Sequence, residues 1–257
     1  MARWTVFPNA GEFRFDADST RRLWSRLHAG DAEPLPADEA VLRAWALFHN
    51  GEFEQAVAAG LAAGGAGITV ANKATCLYAN YLEKQEKDRL DLFQEAARRA
   101  EAQAAADPDN FNAWYWLAYA LGRYSQGVSV AKALAQGLGG KVKDALERVI
   151  RLQPRHADAH VALGAFHAEV IDKVGSLIGS MTYGAKKDVG LKMFRDALAI
   201  HPASPIALIE YANGLVMLEG EHKLAEATRL YRQAAALEPV DAAEQLDIEL
   251  ARAELVE

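Results

Sequence analysis

His156, His160 and His167 fall at i, i+4 and i+11 of one helical pattern, so they would share roughly one face, and imidazoles at that spacing can ligate zinc. A zinc site needs a complete ligand set. No cysteine lies near these residues and only Glu169 offers itself as a further ligand, so packing or polar groove positions account for them better. QGLGGKV carries Gly137, Gly139 and Gly140 ahead of Lys141, but it lacks both the first glycine of a phosphate loop and the Ser or Thr after the lysine. Around Ser129, GVSVA lacks the second glycine of a nucleophile elbow, and no strand precedes it. Carboxylates are scattered along helices without a paired arrangement. The expectation is a chain with no catalytic residue, no metal and no cofactor.

What remains is the chemistry of recognition. The chain is net −7, yet residues 122–151 carry +4 and residues 170–195 carry +3, which leaves −14 on the rest. Such asymmetry predicts a local basic surface on an acidic body and an anionic ligand or partner. The total charge, and the absence of an Arg-rich or aromatic-interleaved stretch, argue against nucleic acid. In each basic stretch apolar residues run into lysines: Val128, Val130, Leu134 and Leu138 before Lys141 and Lys143, then Val174, Leu177, Ile178, Met181 and Tyr183 before Lys186 and Lys187. An anionic amphiphile such as a phospholipid or fatty acid would lay its chain on the apolar residues and its head near the lysines. Lys141, Lys143, Leu177, Ile178, Tyr183, Lys186 and Lys187 are therefore the ligand-binding candidates. The competing reading makes both stretches extra helices that pack on the body and leave the lysines in water. The aromatic cluster Phe111, Trp114, Tyr115, Trp116, Tyr119 and Tyr124 divides in the same way between packing and a groove, with Tyr115, Tyr119, His160 and His167 as groove candidates.

The elements that must position these residues are helical hairpins. Pro108, Pro154, Pro202 and Pro239 each close a helical stretch, and six residues after the first three come Trp114, His160 and Leu208, each opening a new apolar stripe. Spacings of 46, 48 and 37 residues between the prolines enlarge the first two units above the usual repeat of about 34. The enlargement is SQGVSVAKALAQGLGG in one unit and IDKVGSLIGSMTYG in the next. Ahead of them, Ala44, Leu47, Gly51, Phe53, Ala56 and Ala63 recur at a spacing that resembles the tetratricopeptide family, with Gly51 at the tight turn between antiparallel helices. Ala118 and Gly164 stand where such helices cross most closely. The expected fold is all-α, a tetratricopeptide-like right-handed helical-hairpin solenoid with enlarged central repeats. Residues 1–36 form an extension with a capping helix, N-capped by Asp18 or Ser19 and stopped at Gly30. Residues 37–240 form the array, and residues 241–257 a polar capping helix.

One branch of tetratricopeptide-like proteins is matched in particular. The Trp-containing helix before Arg123 and Tyr124, the unit PRHADAHVALGAFHAEV with Pro154, His160, Leu163 and Gly164, the long interruption after it and DVGLKMFRDALAIHP resemble, over roughly residues 70–255, the regulator of microtubule dynamics family. The resemblance implies a helical, non-enzymatic protein of the kind linked to organelle contacts, the cytoskeleton and, in some members, phospholipid handling. No run of about 20 apolar residues is present, unlike in the membrane-anchored members, and the N-terminus has no export signal. The expectation is a cytoplasmic scaffold that binds a protein or peptide in its concave groove, with the anionic amphiphile carrier as the alternative and the oligomeric state open.

Overall fold

Proline fixes its own φ and steers the residue before it away from helix, so Pro108, Pro154, Pro202 and Pro239 each follow the end of one helix and leave a turn before the next. In the computed structural model, which describes residues 4–256, that turn has a fixed chemistry. Two places after Pro36, Pro108, Pro154 and Pro202 stand Asp38, Asn110, His156 and Ser204, and each is the N-cap of the next helix. Their side chains accept from the backbone N–H groups of Ala40, Ala113, Ala159 and Ala207. One of the unpaired donors at each helix start is thereby satisfied, a contribution of roughly 1 kcal/mol per cap. Two places after Pro239, the Asp241 carboxylate instead accepts from Nδ1 of the buried His49 at 2.6 Å.

The fourteen α-helices among the described residues fall into two compact units. The first comprises the chain up to His28, Glu33–Leu152 and Val240–Ala243. It holds α1 (Ala17–Leu27), α2 (Glu39–His49), α3 (Phe53–Ala63), α4 (Gly67–Tyr81), α5 (Glu86–Ala106), α6 (Phe111–Gln126), α7 (Val130–Ala135) and α8 (Leu138–Leu152). Hairpins pair α2 with α3, α4 with α5 and α6 with α8, and α3 and α5 also pack on the first helix of the next hairpin. The second unit comprises Ala29–Ala32, Gln153–Pro239 and the chain from Glu244. It holds α9 (Ala157–Val174), α10 (Ser176–Tyr183), α11 (Lys187–Ile200), α12 (Pro205–Glu219), a 3₁₀ turn at Glu221–Lys223, α13 (Leu224–Ala235) and most of α14 (Ala242–Glu254). Here α9 pairs with α11 and α12 with α13. No strand occurs among the described residues. Helical hairpins in succession, two of them interrupted by the short helices α7 and α10, make this an all-α tetratricopeptide-like fold.

Glycines and caps set the close approaches. Gly51 takes φ +82° in the turn between α2 and α3, and a Cβ there would come within 2.5 Å of the Phe7 ring. The fully buried Phe194 ring of α11 lies between Gly164 of α9 and Gly214 of α12; a Cβ on the first would come 2.8 Å from the ring, and one on the second would clash with its edge still more closely. A ring buried in this way contributes roughly 1.5–3 kcal/mol. The close crossing expected at Gly164 is thus the seat of an aromatic side chain. The first helix starts earlier than its sequence suggests. Asp16, not Asp18 or Ser19, is the N-cap of α1, because Ser19 at the third helical position returns the bond: Asp16 Oδ1 accepts from the Ser19 N–H at 2.7 Å and Ser19 Oγ accepts from the Asp16 N–H at 2.8 Å.

Candidate functional site

The three histidines do not share a helix face. His156 lies outside α9 as its cap, and its Nδ1 accepts from the Ala159 N–H at 3.0 Å. His160 is buried and its Nε2–H donates to the Pro154 carbonyl at 3.0 Å. One repeat earlier, Trp114 donates its indole N–H to the Pro108 carbonyl, also at 3.0 Å. The residue six places after each of these prolines is therefore a ring with an N–H that closes the preceding turn, a role the matching Leu208 cannot fill. His167 is buried, and its Nδ1 accepts from the Lys186 N–H at 3.2 Å. All three imidazoles hold backbone groups, and among the described residues no group of three or more His, Cys, Asp or Glu is placed to hold a metal ion. Cys76 is fully buried, and burial pushes its thiol well above the ordinary range, the opposite of what a nucleophile needs.

A continuous face forms in the first unit, where α2 packs beside α4 and α4 beside α6. Trp45 and Phe48 from α2 and Trp116 from α6 are buried, and their ring centroids lie 5.5, 5.2 and 5.9 Å from the Lys73 ammonium of α4. Three successive hairpins thus place one half-buried cation over an aromatic floor. Along α6 the half-buried Tyr119 follows, with the Arg123 guanidinium 5.3 Å from its ring centre. Tyr115 is buried, edge-on to Trp116 at 4.9 Å, and serves the packing. Of the groove candidates read from sequence, only Tyr119 reaches this face. Trp45, Phe48 and Lys73 join this face from outside the candidates read from sequence; the local signal for Lys73 is its place as a lone lysine inside the small and apolar run ITVANKATCLYA.

The two insertions fall in different units, and each stands by itself. In the first unit Lys141 is exposed and Lys143 pairs with Glu147 at 2.6 Å. Lys132 of α7 lies 5.5 Å from the Tyr124 ring and, by hydrogen bonding, holds that phenol below its ordinary pKa. In the second unit Leu177 and Ile178 of α10 project into solvent, while Tyr183 is half-buried with its ring at 88° to Phe166. Lys186 is exposed, and Lys187 pairs with Glu219 at 2.9 Å, a hydrogen bond that keeps the carboxyl low.

The sequence profile of regulator of microtubule dynamics protein 1-3 matches residues 68–252, well over half of the chain. The chain belongs to the regulator of microtubule dynamics family. Among solved structures this family member is similar to a thermophilic TPR protein from Thermus thermophilus, with 17% identity, 92% of this chain and 99% of that one covered, and a TM-score of 0.51. That likeness shows the tetratricopeptide fold. No curated protein matches this chain. In this regulator of microtubule dynamics family member the match begins on α4, so it takes in Lys73, Trp116, Tyr119, Arg123 and all of α10, and leaves Trp45 and Phe48 ahead of it. No helix among its described residues is long and apolar enough to cross a membrane.

Proposed function

We propose that this family member is a non-catalytic scaffold and that the face of α2, α4 and α6 seats an extended or helical peptide rich in carboxylates and apolar side chains. The observation that carries the reading is the convergence of Trp45, Phe48, Lys73 and Trp116 from three hairpins, continued along α6 by Tyr119 and Arg123. The half-buried Tyr119 ring gives a peptide apolar contact, and a lysine and an arginine held over rings are charge-assisted donors to its carboxylates. The face is preorganised, because its aromatic floor is already packed before a peptide binds. A carrier of a single anionic amphiphile would need the insert side chains wrapped around its ligand, and Leu177 and Ile178 face water instead.

Peptides selected from a displayed random library on the purified protein test the reading. They are expected to be acidic and to lose at least about tenfold in affinity on a Lys73→Glu, Arg123→Glu double variant, since each charge-assisted bond contributes roughly 1.5–3 kcal/mol. Selected peptides without carboxylates, or with equal affinity for the double variant, would overturn it.

A further inference from the structure

A helix laid on a protein body normally turns its large apolar residues inward and its small or polar residues out. Helix α10 does the reverse. At 100° per residue, Leu177, Ile178 and Met181 span an arc of about 100°, and they are 73%, 57% and 81% exposed. The opposite side carries Gly179, which is buried, with a Cβ there lying 3.1 Å from Val170 of α9 and 3.6 Å from Ala185. The helix packs on α9 through this glycine and Tyr183, so most of the surface of Leu177, Ile178 and Met181 is left in solvent. Glycines in the left-handed region, Gly175 at φ 80° and Gly184 at φ 64°, bound it at both ends and turn the chain sharply into and out of the helix. From Lys173 to Lys187 the sequence holds three lysines and no carboxylate, with Asp172 and Asp188 just outside; Lys173 pairs with Glu169 at 3.3 Å and Lys187 with Glu219 at 2.9 Å, both lysine side chains staying about half exposed, and Lys186 is exposed.

We propose that α10 is a membrane-surface contact: it lies flat on a bilayer carrying anionic headgroups, with Leu177, Ile178 and Met181 inserted among the acyl chains and Lys173 and Lys186 reaching the phosphates. Charge complementarity selects this occupant. A second copy of the chain would bring lysine rim against lysine rim. A bilayer offers negative charge in a plane above an apolar layer, which matches an apolar ridge flanked by cations whose stems are long enough to snorkel. Three inserted side chains and two or three lysines give weak, reversible and salt-sensitive binding, with about a fivefold contribution from each lysine near the surface. The contact uses neither Lys73 nor Arg123, so it stands or falls separately from the peptide face.

Flotation with vesicles of phosphatidylcholine, with or without about one third phosphatidylserine, tests this at low and high salt. The protein is expected to float with the anionic vesicles at low salt and to stay behind with pure phosphatidylcholine. A Leu177→Asp, Met181→Asp variant should lose binding by more than about tenfold with an unchanged circular dichroism spectrum. A Lys173→Gln, Lys186→Gln variant should lose roughly fivefold per lysine. Failure of the unaltered protein to float with anionic vesicles would overturn the proposal, as would equal binding by the Leu177→Asp, Met181→Asp variant. Light scattering that shows a dimer abolished by that variant would assign the ridge to a second copy instead and overturn it too.

Discussion

The floor of the α2–α4–α6 face and the ridge of α10 are built from the same kind of residue with opposite outcomes. Trp45, Phe48 and Trp116 are buried almost completely, whereas Leu177, Ile178 and Met181 stand in solvent. Both sets sit at helical spacing. Spacing says which residues share a face; the neighbouring helix decides what that face meets. Helix α4 has α2 and α6 packed against it, so large rings from both sides meet beneath Lys73. Helix α10 meets α9 through Gly179, and the close approach that this small residue allows leaves the large side chains on the outer side. In the first region apolar bulk holds the framework, and the proposed recognition is left to Lys73 and Arg123. In the second the bulk itself is available for contact.

The comparison is most exposed to truncation of its two sides. Trp45→Ala is expected to destabilise by about 3–5 kcal/mol, and Met181→Ala to stay within about 0.5 kcal/mol, both read as midpoint shifts in urea with the slope unchanged. A large loss at Met181 would mean that α10 packs as the rest does. Two helical glycines sharpen the same contrast at a smaller scale. A methyl on Gly214 clashes with the edge of the Phe194 ring, so Gly214→Ala should cost about 1–3 kcal/mol. Gly122 of α6 has nothing within 4 Å, so Gly122→Ala should be neutral or stabilise by up to about 1 kcal/mol, as the helix propensities require.

The turn-closing rings come next in size. His160→Phe keeps a ring but strips the N–H from the buried turn and is expected to cost about 1–2 kcal/mol. Trp114→Phe, at a less buried position, should cost about half as much. An equal or larger loss at Trp114 would show that packing, including the Arg148 guanidinium 4.4 Å from its ring, outweighs the hydrogen bond. The smallest effect is a pH dependence. Tyr231 is pushed up to about 12, by burial first and then by the Glu254 charge, against the opposing hydrogen bond to Asn213 at 2.6 Å. Its folded pKa lies above the unfolded one, so the unfolded chain loses the proton first. The contribution is fully present below about pH 10 and is lost as pH rises through about 12. Ultraviolet titration of the phenolates should show the last tyrosine ionising together with alkaline unfolding, and Tyr231→Phe should remove that coupling.

The repeat architecture was legible because its signals are local. Pro108, Pro154, Pro202 and Pro239 each follow a helix end, Gly51 permits a turn that other residues resist, and the spacings of Pro108, Pro154 and Pro202 measure each unit without any knowledge of packing. The cap positions were equally local but went unread. Asp38, Asn110, His156 and Ser204 differ in chemistry, and only their common offset from a proline reveals one role, which also removes His156 from the helix where metal spacing had placed it. Trp114 and His160 were read as apolar stripe positions, yet what unites them is a ring N–H and not hydrophobicity. The candidate face was less legible for a different reason. Lys73 is separated from Trp45 and Trp116 by 28 and 43 residues, and only helix packing brings them together. For α10, the Leu177, Ile178 and Met181 arc was visible, but its direction depends on the close approach of Gly179 to Val170 and Ala185, which spacing does not reveal.

A photo-crosslinking amino acid placed at Tyr119, with the exposed Glu101 of α5 as the control position, tests the peptide-scaffold claim most directly when the protein is irradiated in its own cells. The account predicts a discrete protein adduct from position 119 that is absent from position 101 and is lost when Lys73→Glu and Arg123→Glu are added. The same adduct from both positions, or an adduct at 119 indifferent to those two charges, would contradict it.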